Sequence, residues 1–133
     1  MTTNAIGSVC WTDLTVPDAE HVADFYRHVV GWTMTPIQMG GYRDYCMNTP
    51  DTGQTVAGIC HARGLNADLP PEWLIYIVVG DVDQSAAACV RLGGKVVVGP
   101  REMEGQGRFC VIRDPAGAAA ALIAPKAKDA AGK

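Results

Sequence analysis

The sequence holds 133 residues, 48% of them apolar and 19% charged, with a net charge of −3. This balance fits one globular domain with a core of its own and excludes a disordered chain. The weak negative charge gives nucleic-acid binding little support, and the longest apolar runs fall far short of the roughly 20 residues that span a bilayer.

The opening "MTTNAIGS" lacks the basic region and apolar stretch of a secretory signal. "SVCWTDLTV" then alternates Ser8, Cys10 and Thr12 against Val9, Trp11 and Asp13, the pattern of a strand. Pro17 ends it, and the Asp18 carboxylate is placed to cap a helix by accepting from free N–H groups of its first turn. Along that helix Ala19, Val22, Phe25, Tyr26, Val29 and Val30 form one apolar stripe, and Gly31 supplies the left-handed stop. "GWTMTPIQM" and "GYRDYCMNT" read as two strands around Gly40 and Gly41, "TPDTG" as a turn, and "QTVAGICHA" as a further strand. "RGLNADLPP" is linker-like.

The pattern then restarts. "EWLIYIVV" is an apolar strand, Asp81 and Asp83 are capping candidates, and "SAAACVRL" is a helix stopped by Gly93 and Gly94. "KVVVGP", "GRFCVIRD" and "AAAALIA" are strands, with "DPAG" turning before the last. "EMEGQGR" reads as a glycine-rich loop suited to a lid, and "KAKDAAGK" as a frayed tail. Val16 and Asp18 recur 63 positions later as Val79 and Asp81, Gly31 as Gly94, and Asp51 as Asp114. Each half is strand, helix, then three strands, too few elements to cover its own sheet, so the halves must combine. The expected layout is a single domain over 1–133: module one about 8–62, a linker at 63–71, module two about 72–125 and a tail at 126–133.

Five cysteines, Cys10, Cys46, Cys60, Cys89 and Cys110, are odd in number and form no Cys-x-x-Cys. They argue for a reducing, cytoplasmic setting and for thiols that serve as small apolar side chains.

A tandem βαβββ carrying "TVPDAEHVADFYRHVVGW", "VVGDVDQSAAACVRLGGKV" and "GRFCVIRDPAGA" resembles the vicinal-oxygen-chelate superfamily of glyoxalases, bleomycin-resistance proteins and extradiol dioxygenases. The resemblance covers roughly Ser8 to Pro125. It implies an α+β fold in which two βαβββ modules form a curled mixed sheet with a concave cleft. It also implies a homodimer, since family members pair their modules within or between chains and open strand edges need cover. Metal-dependent members place His and Glu ligands at four symmetric positions, which here are Trp11, Gly58, Leu74 and Ala121. None of these side chains offers the imidazole, carboxylate or thiolate that a divalent ion requires, so no metal and no cofactor are expected.

The cleft candidates follow from alternation. Trp11 presents either a flat stacking surface or a plug of core indole. Asp13 shares its face, as a polar anchor or general base with a raised pKa, or as the partner of a neighbouring strand. Tyr76 shares the face of Leu74, as a donor to a ligand carbonyl or as core. Cys60 shares the face of Gly58, with no activating histidine evident beside it. Tyr45 and Met47 are expected to line the cleft from a strand whose register alternation does not fix. His21 and His28 are expected in solvent, and His61 at a strand end.

Two functions from different classes follow. The first is a metal-free protein binding an apolar or aromatic small molecule in the cleft, as drug-sequestering members do. The second is a metal-independent enzyme of lyase, isomerase or cyclase type using Asp13 or Tyr76 as acid or base. A metal-dependent lyase or dioxygenase and a dimer whose cleft is filled by its own side chains fit less well. Fold alone does not choose among them.

Overall fold

The computed structural model describes residues 5–103 and 105–125. Strand β1 (Val9–Val16) leads into helix α1 (Ala19–Val30), followed by β2 (Thr33–Gln38), β3 (Arg43–Asn48) and β4 (Thr55–His61). After a 3-10 turn at Gly64–Asn66 the order repeats: β5 (Leu74–Val78), α2 (Val82–Arg91), β6 (Lys95–Met103), β7 (Gly107–Arg113) and β8 (Ala119–Pro125). The expected α+β fold of two βαβββ modules is therefore present. The tail expected at 126–133 lies outside the described residues.

The caps act as their chemistry requires. Asp18 accepts from the His21 N–H at the start of α1, and Gly31 ends the helix at φ 92°, a conformation that costs glycine nothing. Asp81 accepts from the Gln84 N–H at the start of α2. Asp83 falls inside the first turn, and its carboxylate instead holds the Arg108 guanidinium at 2.7 and 3.0 Å. The pair ties α2 to β7, while Glu102 takes a third guanidinium contact.

The chain divides into two compact units, Trp11–Leu74 and the described residues before and after it. Residues 63–71, expected as a linker between the modules, belong to the first unit, and so do residues 72–74, expected to open module two. The residues before Trp11 belong to the second, where the Gly7 N–H donates to the Val78 carbonyl and the Val78 N–H to that of Ser8. In the first unit the strand order is β2-β3-β4-β1, antiparallel except for the parallel β4–β1 pair. The second unit repeats this as β5-β8-β7-β6, with β5 and β8 parallel.

Each helix packs on one face of its own sheet. Ala19 and Ala23 of α1 meet Leu14, Val16, Tyr45, Met47, Ala57 and Ile59. Val82 and Ala86 of α2 meet Cys110 and Leu122, flanked by Ile77, Val79, Val96 and Ile112. Alanines on the helices let the axes approach the sheet closely. A further cluster closes the first unit: Tyr26, Trp32 and Trp73 meet edge to face or tilted at centroid separations of 5.4–6.1 Å, and the Trp73 indole N–H donates to the Tyr26 hydroxyl at 3.0 Å. Trp73 is therefore an anchor, and β5 starts at the next residue.

The lid expected at "EMEGQGR" is not a long loop. Glu102 pairs with Arg108 and Met103 with Gly107, so β6 and β7 run on nearly to the turn. Strand pairing satisfies these backbone groups, which a loop would leave to water.

Candidate functional site

The face of the first sheet turned away from α1 carries the chemistry. In register, Asp13 of β1 lies beside Gly58 of β4, and Gly58 beside Cys46 of β3. Alternation then places Trp11, Asp13, Gly58, Cys60, Asp44 and Cys46 on one face. Trp11 lies over Gly58: a Cβ at that glycine would stand 3.2 Å from the indole Cζ2 and 3.3 Å from the Asp13 Cβ. Glycine at 58 is thus what allows the ring to settle on the sheet. The indole N–H donates to Asp13 Oδ2 at 3.2 Å, which uses the ring's only polar atom and leaves its flat surface apolar. Both side chains are half-buried.

Further along the face, Asp44 is 8% exposed and accepts the His61 backbone N–H at 2.9 Å. The Cys60 thiol lies close enough to the same carboxylate to feel its charge. Burial pushes the Cys60 thiol up, and the charges of Asp13 and Asp44 push it further, so a thiolate is disfavoured there. This is the environment of an inert thiol, not of a nucleophile. In the second unit burial, with Cys89 and Asp83 nearby, pushes Cys110 up to about 11.

These thiols make a pH prediction. In the unfolded chain they ionise near the ordinary value of about 8.5. The folded chain holds their protons to higher pH, so unfolding releases protons and stability falls as pH rises. Urea midpoints are expected to be unaffected by these groups below pH 8 and to drop between about pH 9 and 11. Cys60→Ser keeps a small polar side chain near Asp44 that does not titrate in this range, and its midpoint should drop less. Equal losses in both proteins would show that Cys60 contributes nothing.

Tyr45 and Met47 correct the sequence reading. They were expected to line the cleft, but Tyr45 pairs with Ile59 and Met47 with Ala57, on the side of α1. They are 5% and 0% exposed in the core beneath that helix. Cys46 and Asp44 take the places on the Trp11 face. Asp44 itself was not singled out. The available signal was an aspartate inside a strand, where that residue is depleted unless something holds it.

Tyr76 pairs with Ala121 across β5 and β8, and alternation along β5 puts Leu74 on the same side of the strand as Tyr76. All three are buried, with Phe109, Val111 and Val98 also buried. Among the described residues no group of three or more His, Cys, Asp or Glu side chains could hold a metal ion. The position of Gly58 is covered by the Trp11 ring. Among the described residues no helix is long and apolar enough to cross a membrane.

Residues 7–122 match the family model of the Glyoxalase/Bleomycin resistance protein/Dioxygenase superfamily. The chain is 34% identical to the anthracycline biosynthesis protein DnrV of Streptomyces peucetius, over 92% of this chain and 48% of that one. It is 33% identical, with the same coverage, to the anthracycline biosynthesis protein DauV of Streptomyces sp. strain C5. The chain therefore spans about half the length of these relatives. Methylmalonyl-CoA epimerase of Streptomyces coelicolor is similar in structure, with a TM-score of 0.55 and 19% identity over 92% of this chain and 100% of that one. At that identity the likeness concerns the fold alone.

Proposed function

The chain belongs to the Glyoxalase/Bleomycin resistance protein/Dioxygenase superfamily, and from that premise we propose that it binds an aromatic small molecule without a metal, using the Trp11 face of its first module. The observation that carries this reading is the indole laid over Gly58 with its N–H tied to Asp13. Such a ring has its orientation fixed before a ligand arrives, which lowers the ordering cost of binding. The absence of metal is supported by Trp11, Gly58, Leu74 and Ala121, none of which carries a donor for a divalent ion. The names of the similar Streptomyces proteins suggest the class of ligand: a polycyclic aromatic of anthracycline type.

A metal-independent enzyme on the same scaffold is the second reading, with Asp13 or Tyr76 as acid or base. The Asp13 carboxylate favours it, being held beside an aromatic wall by the indole N–H. Product analysis after incubation with a polyketide-like carbonyl substrate distinguishes the two: turnover that Asp13→Asn abolishes supports the enzyme, and unchanged substrate supports the binder.

For binding, Asp13→Asn keeps the shape and loses the charge. It is expected to weaken ligands that carry an amine by about 5- to 150-fold, as loss of a charge-assisted hydrogen bond of roughly 1–3 kcal/mol requires, and to leave neutral ligands nearly unchanged. Calorimetric titration of an anthracycline against its N-acetyl derivative checks it; equal losses for both remove Asp13 as a charge anchor. A cytoplasmic homodimer completes the proposal, because the exposed edge strands β2 and β6 need cover. Sedimentation showing only monomer at micromolar concentration would count against the dimer.

A further inference from the structure

Among the described residues, His61 Nδ1 is the one buried side-chain nitrogen or oxygen without a hydrogen-bond partner. It stands 3.5 Å from Asp44 Oδ1, and the two side chains are 16% and 11% exposed. The same oxygen takes the His61 backbone N–H at 2.9 Å, so backbone and ring are both referred to one carboxylate. The separation is long for a hydrogen bond, yet it decides the tautomer. A lone pair on Nδ1 would face a buried carboxylate oxygen and be repelled, whereas a proton there is attracted. Nε2 is then left with its lone pair, on the ring nitrogen that does not face Asp44.

We propose that His61 and Asp44 form a proton-accepting dyad, with Asp44 as the positioning residue and His61 Nε2 as the acceptor for a ligand hydroxyl of phenolic type. The surroundings fit that ligand. The Tyr42 ring meets the imidazole edge to face at 5.4 Å, and the Arg63 guanidinium lies over Tyr42 at 4.3 Å from its centroid. An aromatic surface and a cation thus lie beside the imidazole, while Asp44 of β3 faces its Nδ1. If the proton transfers fully, it leaves the ligand oxygen for Nε2. The ligand becomes an oxyanion beside Arg63, and the ring becomes an imidazolium whose Nδ1–H faces Asp44. This goes beyond the binding reading, which turns on Trp11 and Asp13, and it stands or falls separately.

The test is nitrogen NMR of the full chain at pH 8. His61 is expected mainly as the Nδ1–H tautomer, and Asp44→Asn, which keeps an oxygen for the His61 N–H, should lose that preference while remaining folded. Phenol should shift the Nε2 resonance, and anisole, the same ring without an O–H, should not. Diethyl pyrocarbonate followed by mass spectrometry should modify His61 in the folded protein. An Nε2–H tautomer in the unmutated protein would overturn the dyad, as would a tautomer indifferent to Asp44→Asn. Equal shifts from phenol and anisole, or no shift from either, would overturn the acceptor role. So would an unreactive His61 beside reactive His21 and His28.

Discussion

Trp11→Ala is expected to weaken every planar aromatic ligand by on the order of 1–3 kcal/mol, roughly 5- to 150-fold in Kd, whatever its substituents. Stacking depends on flat apolar area, and the ring's single donor is already committed to Asp13. Stability should fall less than the roughly 3–5 kcal/mol typical of a fully buried tryptophan, because Trp11 is only half-buried and its loss uncovers Gly58 without hollowing the core under α1. Trp11→Phe should recover much of the affinity. Calorimetry is the suitable measurement, since Trp32 and Trp73 would mask fluorescence changes at Trp11. A lowered melting temperature with unchanged affinity would make Trp11 a structural cover over Gly58 and remove the main support of the binding proposal.

Gly94→Ala is expected to have the largest effect on folding. Its Cβ would lie 2.6 Å from Cys89 Sγ, 2.8 Å from the Arg113 carbonyl oxygen and 3.2 Å from the Cys89 carbonyl oxygen. Two of these are backbone atoms, at the junction of α2, β6 and β7, so the methyl cannot be accommodated by a rotamer change alone. Overpacking of this kind costs about 1–3 kcal/mol, and occasionally more. For a chain of this size that is roughly 3–15 °C in melting temperature. Gly41→Ala is the control: nothing stands within 4 Å of its Cβ, and it should stay within about 0.5 kcal/mol. Similar melts for the two variants would show that the α2–β6 junction yields more readily than its geometry implies.

The repeat in the sequence determined much of the fold, because its signals are local. The aspartate caps at 18 and 81, the glycine stop at 31 and the period-two alternation each act within a few residues, and the structure realises them. Alternation also gave the shared side of Trp11 and Asp13, two residues apart on one strand. Where local signals conflicted with pairing, the sequence misled: "EMEGQGR" has loop composition, yet the ladder between β6 and β7 extends into it.

What only the tertiary structure decided involves more than one strand. The side on which Tyr45 and Met47 lie depends on β3 matching Cys46 to Gly58, and a shift of one residue would reverse it. The meeting of Asp44 with Cys60 and His61 depends on the same register, since the carboxylate and the His61 N–H it binds are 17 positions apart. Trp73 reaches Tyr26 across 47 positions to close the aromatic cluster. Composition and periodicity place residues along one element. The hydrogen-bond ladder and the helix lying on it decide which side chains meet water, which enter the core, and which face one another as chemistry.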